Sequence, residues 1–162
     1  MGSAMRSGVL ALMLLCAGGV TAAEQPEDAV TATEDVDDTT LIQESIRPRA
    51  EQGDAGSQWL LGYMYSEGRG VPQDYVQAAD WHRQAAEQGD ASAQNNLGRM
   101  YAEGWGVSQN HVQAHLWYNL AAASGKEMAV KNRDLVAAKM TPVQIAEAQK
   151  LAREWKSKPE AK

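Results

Sequence analysis

The stretch AEQGDA at Ala50 to Ala55 returns letter for letter at Ala86 to Ala91. Sliding the chain against itself by 36 residues sets AEQGDAGSQWLLGYMYSEGRGVPQDYVQAADWHRQA, from Ala50, over AEQGDASAQNNLGRMYAEGWGVSQNHVQAHLWYNLA, from Ala86. Of the 36 positions, 21 are identical. A fixed period of about 20 to 50 residues marks a stacked array, in which each unit buries its apolar face only against its neighbours.

The identical positions specify two helices per unit. Gln58, Leu61, Gly62 and Tyr65 recur as Gln94, Leu97, Gly98 and Tyr101, one face of a 3.6-residue period. Glycine on that face predicts a close approach by the neighbouring helix, which offsets the roughly 1 kcal/mol that Gly costs inside a helix. The segments Glu67-Gly68-Arg69-Gly70-Val71 and Glu103-Gly104-Trp105-Gly106-Val107 end the first helix, and Asp74 or Asn110 caps the second. The second helix carries Ala78, Trp81 and Ala85, matched by Ala114, Trp117 and Ala121, as its buried stripe. The opening hexapeptide is then the joint between units. Ala-Glu-Gln finishes a second helix, Gly53 or Gly89 stops it, and Asp54 or Asp90 caps the next first helix. Ser124-Gly125-Lys126 is the same joint in degraded form.

Outward from these units the pattern loosens. Leu41 to Arg49 predicts the second helix of a half repeat, with Leu41, Ile42 and Ile46 facing inward and a kink or early break at Pro48. Lys126 to Lys139 reads as a helix with Met128, Leu135 and Val136 apolar, lacking the glycine loop. Thr141, Pro142 and Gln144 open a last helix with a capping box and Pro at its first position, and Ile145, Ala148, Ala152 and Trp155 share one side of it. These two helices are expected to form a C-terminal capping pair.

The joint, the Leu-Gly-x-Met-Tyr and Glu-Gly-x-Gly-Val blocks, the Asp or Asn cap and the Ala-x-x-Trp stripe resemble the Sel1-like repeat family, relatives of tetratricopeptide repeats. The resemblance covers residues 50 to 121 and extends less strictly to about residue 156. It implies an all-α solenoid of antiparallel helix pairs, here about seven helices, serving as a scaffold for protein interaction. Cysteine-rich relatives described as β-lactam hydrolases share only the repeat, since the one cysteine, Cys16, lies in the N-terminal segment.

That segment has Arg6 ahead of an apolar run from Val9 to Cys16 and small residues through Ala23, the layout of a secretory signal peptide. The run is far shorter than the roughly 20 residues of a membrane span. Removal after Ala22 or Ala23 is expected, giving an exported, periplasmic or secreted chain without stable membrane insertion. Leu15 before Cys16 argues against a lipid anchor. Residues 24 to 38 hold seven acids and no base and read as a disordered acidic linker. The expected organisation is therefore a signal peptide (1–23), a linker (24–38) and a repeat domain (39–158) comprising a half repeat (39–49), two repeats (50–85 and 86–121) and the capping pair (122–158). Without the first 38 residues, fourteen acids balance fourteen bases. A neutral body behind an acidic leader argues against nucleic acid as the partner, because phosphate binding needs a basic face.

Positions that differ between the repeats are released from the shared architecture. On the first helices, Trp59 and Tyr63 stand where Asn95 and Arg99 stand one unit later, opposite the packing stripe. First helices of tetratricopeptide-like solenoids line the concave groove, so Trp59, Tyr63, Asn95 and Arg99 are candidate partner contacts, with aromatic and Arg side chains as anchors. The alternative is that Trp59 and Tyr63 bury against the preceding half repeat. Trp105, where the other repeat has Arg69, is a further candidate, either exposed on its loop or folded back on the adjacent unit. His111 and His115 have the four-residue spacing of metal ligands, but no Glu between them and no third ligand, so no metal is assigned. His82 aligns with Tyr118 and is expected at the helix surface. No nucleophile elbow, phosphate loop or carboxylate pair outside structural turns is found. The reading is a scaffold with a protein or peptide partner, no cofactor and no catalytic residue. A cell-envelope component is among the candidate partners. The alternatives are an assembly factor acting by self-association, or a hydrolase or metal protein.

Overall fold

The computed structural model describes residues 37–156, and these fold as seven helical rods without a strand among them. The first, α1, runs through Asp38–Leu41, Ile42–Ile46 and Arg47–Glu51. Then come α2 (Ala55–Glu67), α3 (Tyr75–Glu87), α4 (Ala91–Glu103), α5 (His111–Ala123), α6 (Glu127–Ala137) and α7 (Pro142–Lys156). The signal-peptide reading and most of the acidic segment lie outside the described residues. Asp37 and Asp38, however, belong to the fold and not to a linker. The Thr40 N–H donates to the Asp37 carboxylate at 2.6 Å, capping α1, and Asp38 pairs with Arg69 at 3.1 Å.

The break expected at Pro48 is displaced. A proline ring removes one helical N–H and crowds the preceding turn, and the chain widens into a π-type turn at Ile42–Ile46 before running on as Arg47–Glu51. Ile42 and Ile46, one turn apart, pack with Ala50 against Leu61 and Met64. Leu41 does not join them. It lies about 100° round the helix from Ile42 and stays 38% exposed.

The two repeats are the antiparallel hairpins α2–α3 and α4–α5, with α3 against α4 and α5 against α6 across the joints. Gly53 and Gly89 both sit at φ 94°, and Gly125 at 84°, which lets three joints turn alike. The Asp54 and Asp90 carboxylates accept from the N–H of Ser57 and Ala93 at 2.8 and 2.7 Å. The buried amides of Gln58 and Gln94 donate to the carbonyls of Ala50 and Ala86 at 3.0 and 3.1 Å. A polar residue on the packing stripe is thus satisfied by the end of the preceding helix. Leu61 and Leu97 are fully buried.

The helical glycines serve a ring. A methyl group on Gly62 would lie 2.8 Å from His82 Nδ1, and one on Gly98 would lie 2.8 Å from the Tyr118 ring. His82 is therefore not at the surface as its spacing suggested. It is 1% exposed, seated on Gly62 as Tyr118 is on Gly98. The glycine position recurs one unit later as Asp134 in α6.

The C-terminal pair departs from a hairpin at this point. α7 lies along α5, not along α6. Ala152, Leu151 and Trp155 pack on Leu116, Trp117 and Leu120, with the Trp117 and Trp155 rings edge to face at 4.9 Å. At the equivalent places α3 carries Asp80, Trp81 and Gln84, so the two leucines that receive α7 replace polar residues of the first unit. The capping box forms as expected: the Thr141 N–H donates to the Gln144 side-chain oxygen at 2.9 Å, and the Gln144 N–H to the Thr141 hydroxyl at 3.3 Å.

Candidate functional site

Side chains that the repeat does not require gather along the first helices. Trp59 and Tyr63, one turn apart on α2, stack with centroids 6.3 Å apart. Trp59 is half-buried and leans on the core formed by Ala85, Ala86, Ala93 and Leu97, toward the following unit and not the preceding half repeat. Its indole N–H is buried without an acceptor among the described residues. Asn95, one unit on, accepts a hydrogen bond from the Asn132 amide of α6 at 3.0 Å. Arg99 is exposed, with its guanidinium 5.4 Å from the centre of the Trp105 ring. Trp105 in turn stacks on Tyr75 of α3 at 5.4 Å, folded back on the adjacent unit yet 38% exposed. Arg99 and Trp105 thus form one surface stack, and Tyr63, Arg99 and Leu135 occupy the same position in successive first helices.

Beside Arg99 the surface opens into a hollow of about 280 Å³. Arg99, Ala102 and Glu103 of α4 form one wall, Asn132, Leu135 and Val136 of α6 with Lys139 beyond it form the other, and Tyr118 of α5 lines it between them. Burial pushes the Tyr118 phenol up to about 12, against the pull of Arg99 and with the help of the Glu103 charge. At ordinary pH it is therefore a neutral hydrogen-bond group. Burial likewise pushes His82 down to about 4, with the Arg99 charge acting in the same direction.

Only Arg99 of this hollow was evident from sequence. In sequence Tyr118 is only the counterpart of His82, a position that reads as helix surface, and Leu135 and Lys139 lie in the degraded third unit. The missing signal was the period itself: counting 36 residues on from Tyr63 and Arg99 arrives at Leu135. Neither histidine of α5 lines the hollow. His115 is buried, which lowers its pKa, as does the Arg133 charge, while Asp134 opposes them. Among the described residues no group of three or more His, Cys, Asp or Glu side chains could hold a metal ion, and no helix is long and apolar enough to cross a membrane.

The chain's relatives agree with this architecture. A family model described as the Sel1 repeat matches residues 55–90 and 91–126. Among solved structures, the chain is similar to a protective antigen present in uropathogenic Escherichia coli strains that displays an SLR fold, with 32% identity and a TM-score of 0.66. That match covers 72% of this chain and 28% of the antigen. It is also similar to a Sel1 repeat protein from Oxalobacter formigenes, with 43% identity, a TM-score of 0.54, and 55% and 67% of the two chains covered. The chain spans little more than a quarter of the antigen's length. No curated protein matches it significantly.

Proposed function

This chain is a Sel1 repeat protein, with two repeats across residues 55–126, and from that premise we propose that it is an exported, non-enzymatic adaptor. It holds a protein or peptide partner against the face built by its first helices. The observation that carries this reading is the stack of Arg99 on Trp105 beside the hollow, a cation and an aromatic ring held on the surface where the repeat itself needs neither. Such pairs are the residue types enriched at interface hot spots. Trp59 and Tyr63 extend the same face by one unit. Export rests on the layout of residues 1 to 23, a short basic and apolar segment ending in small residues.

The test is crosslinking in the native cell followed by capture on the wild-type chain and on a Trp59→Ala, Arg99→Ala double variant. Circular dichroism confirms that both fold. Loss of the same crosslinked species from the double variant supports the face. An unchanged set of partners, with a changed oligomer size in gel filtration, would replace this reading with assembly by self-association. Fractionation and N-terminal sequencing test export: a mature chain beginning at residue 23 or 24 is expected.

A further inference from the structure

The chemistry of the hollow is specific enough to name what enters it. Arg99 and Lys139 are cations that make no ion pair with any described residue. The Tyr118 hydroxyl makes no hydrogen bond to any described residue, and its ring is pinned on Gly98. Two acceptors complete the rim: Glu103, and the Asn132 side-chain oxygen, left over because the amide nitrogen donates to Asn95. A free anion would meet Glu103, and a free cation would meet Arg99 and Lys139. The remaining lining, Leu135, Val136 and Ala102, is aliphatic. The volume of about 280 Å³ lies just under the roughly 300 to 1,000 Å³ of drug-sized ligand pockets, which suits one residue and not a fold. The group required has a carboxylate, an adjacent N–H donor and a short aliphatic body. The C-terminal residue of a polypeptide has all three.

We propose that the hollow between α4 and α6 captures the C-terminus of a partner polypeptide ending in an aliphatic residue. The side chain lies between Leu135, Val136 and the Tyr118 ring, and the free carboxylate binds Arg99 and Lys139 as charge-assisted hydrogen bonds. The terminal N–H faces Glu103 and Asn132, the Tyr118 hydroxyl donates to an oxygen of the terminal group, present in acid and carboxamide alike, and Trp105 holds Arg99 in place from behind. This rests on the reading of the first-helix face as the partner-binding face and adds the recognised chemistry.

The test uses fluorescein-labelled hexapeptides, randomised except for a last leucine, as free acids and as carboxamides, read by fluorescence anisotropy against the full chain. The free acids are expected to bind at least about tenfold more tightly than the carboxamides, the loss expected for a charged hydrogen-bonded pair. Arg99→Ala and Lys139→Ala should each remove most of that difference. Tyr118→Phe should weaken both peptide forms by about threefold, and Leu135→Asp, an exposed position, should abolish leucine binding while leaving the circular dichroism spectrum intact. Equal affinity for acid and carboxamide, or no saturable binding of either pool, overturns the proposal. If crosslinked partners are nevertheless lost from the Trp59→Ala, Arg99→Ala variant, the face remains a binding face and only terminal capture fails.

Discussion

Glycine performs two tasks in this chain that substitution separates. At Gly89 a side chain would meet nothing within 4 Å, and its only objection is the left-handed φ of 94°. At Gly98 the backbone is ordinary helix, but a methyl group would sit 2.8 Å from the Tyr118 ring. Gly89→Ala is expected to cost about 1 kcal/mol through backbone strain, whereas Gly98→Ala should cost about 1 to 3 kcal/mol through overpacking, despite alanine's better helix propensity. Urea unfolding ranks the two, and a Gly98→Ala chain as stable as wild type would refute the ring seat. His82 supplies the pH dependence. Burial pushes it down to about 4 in the folded chain, against about 6.5 for a free imidazole, so the unfolded chain takes up a proton at pH values where the folded chain does not. Stability present above pH 6.5 is lost as pH falls toward 4 and then levels, by up to about 3 kcal/mol from this group. His115, also lowered by burial, acts in the same direction. His82→Tyr places at Gly62 the ring that Gly98 already accepts. It should flatten the change in urea midpoint between pH 7 and 4.5, leaving the part due to His115. The caps and stopping glycines were legible in sequence because each acts within one turn of chain. The burial of His82 was not, because it depends on a residue twenty positions away.

Helix by helix, the pattern of apolar positions located every rod, and the period ordered α2 to α6. What it missed is the partner of α7. Leu116 and Leu120 stand where α3 has Asp80 and Gln84, a difference that reads as freedom from the repeat until the closing helix is seen lying there. Side chains that vary between units therefore carry two signals, one for a ligand and one for an end. Restoring the α3 residues, Leu116→Asp with Leu120→Gln, should undock α7 at a cost of about 2 to 5 kcal/mol for each buried leucine lost. Brief trypsin treatment would then cut at Lys150 and Arg153 while α2 to α4 stay protected. Equal protection of α7 in both chains would show that the docking does not depend on that apolar strip.

Over the whole molecule, stability passes from layer to layer through residues such as Leu97, fully buried between the helices of its own unit and the end of the preceding one. Leu97→Ala is expected to cost about 2 to 5 kcal/mol and, in hydrogen exchange, to lower protection from α3 through α5 together. Trp155→Ala should be felt chiefly in α5 and α7, as in a stack held by nearest-neighbour contacts. Five ion pairs among the described residues each have at least one solvent-exposed partner, and such pairs contribute little. The stacking order could be read from one repeated hexapeptide, but the hollow could not, because it needs α4, α5 and α6 at once and one of them carries the weakest copy of the motif. The aspartate at position 134 has an evolutionary corollary. Since the third unit carries Asp134 where the first two carry Gly62 and Gly98, and the strip that receives the final helix belongs to the unit before it, tandem duplication of codons 50 to 85 would lengthen the rod while leaving both termini intact. Growth of such a gene by unequal recombination is thereby decoupled from the problem of finishing the protein.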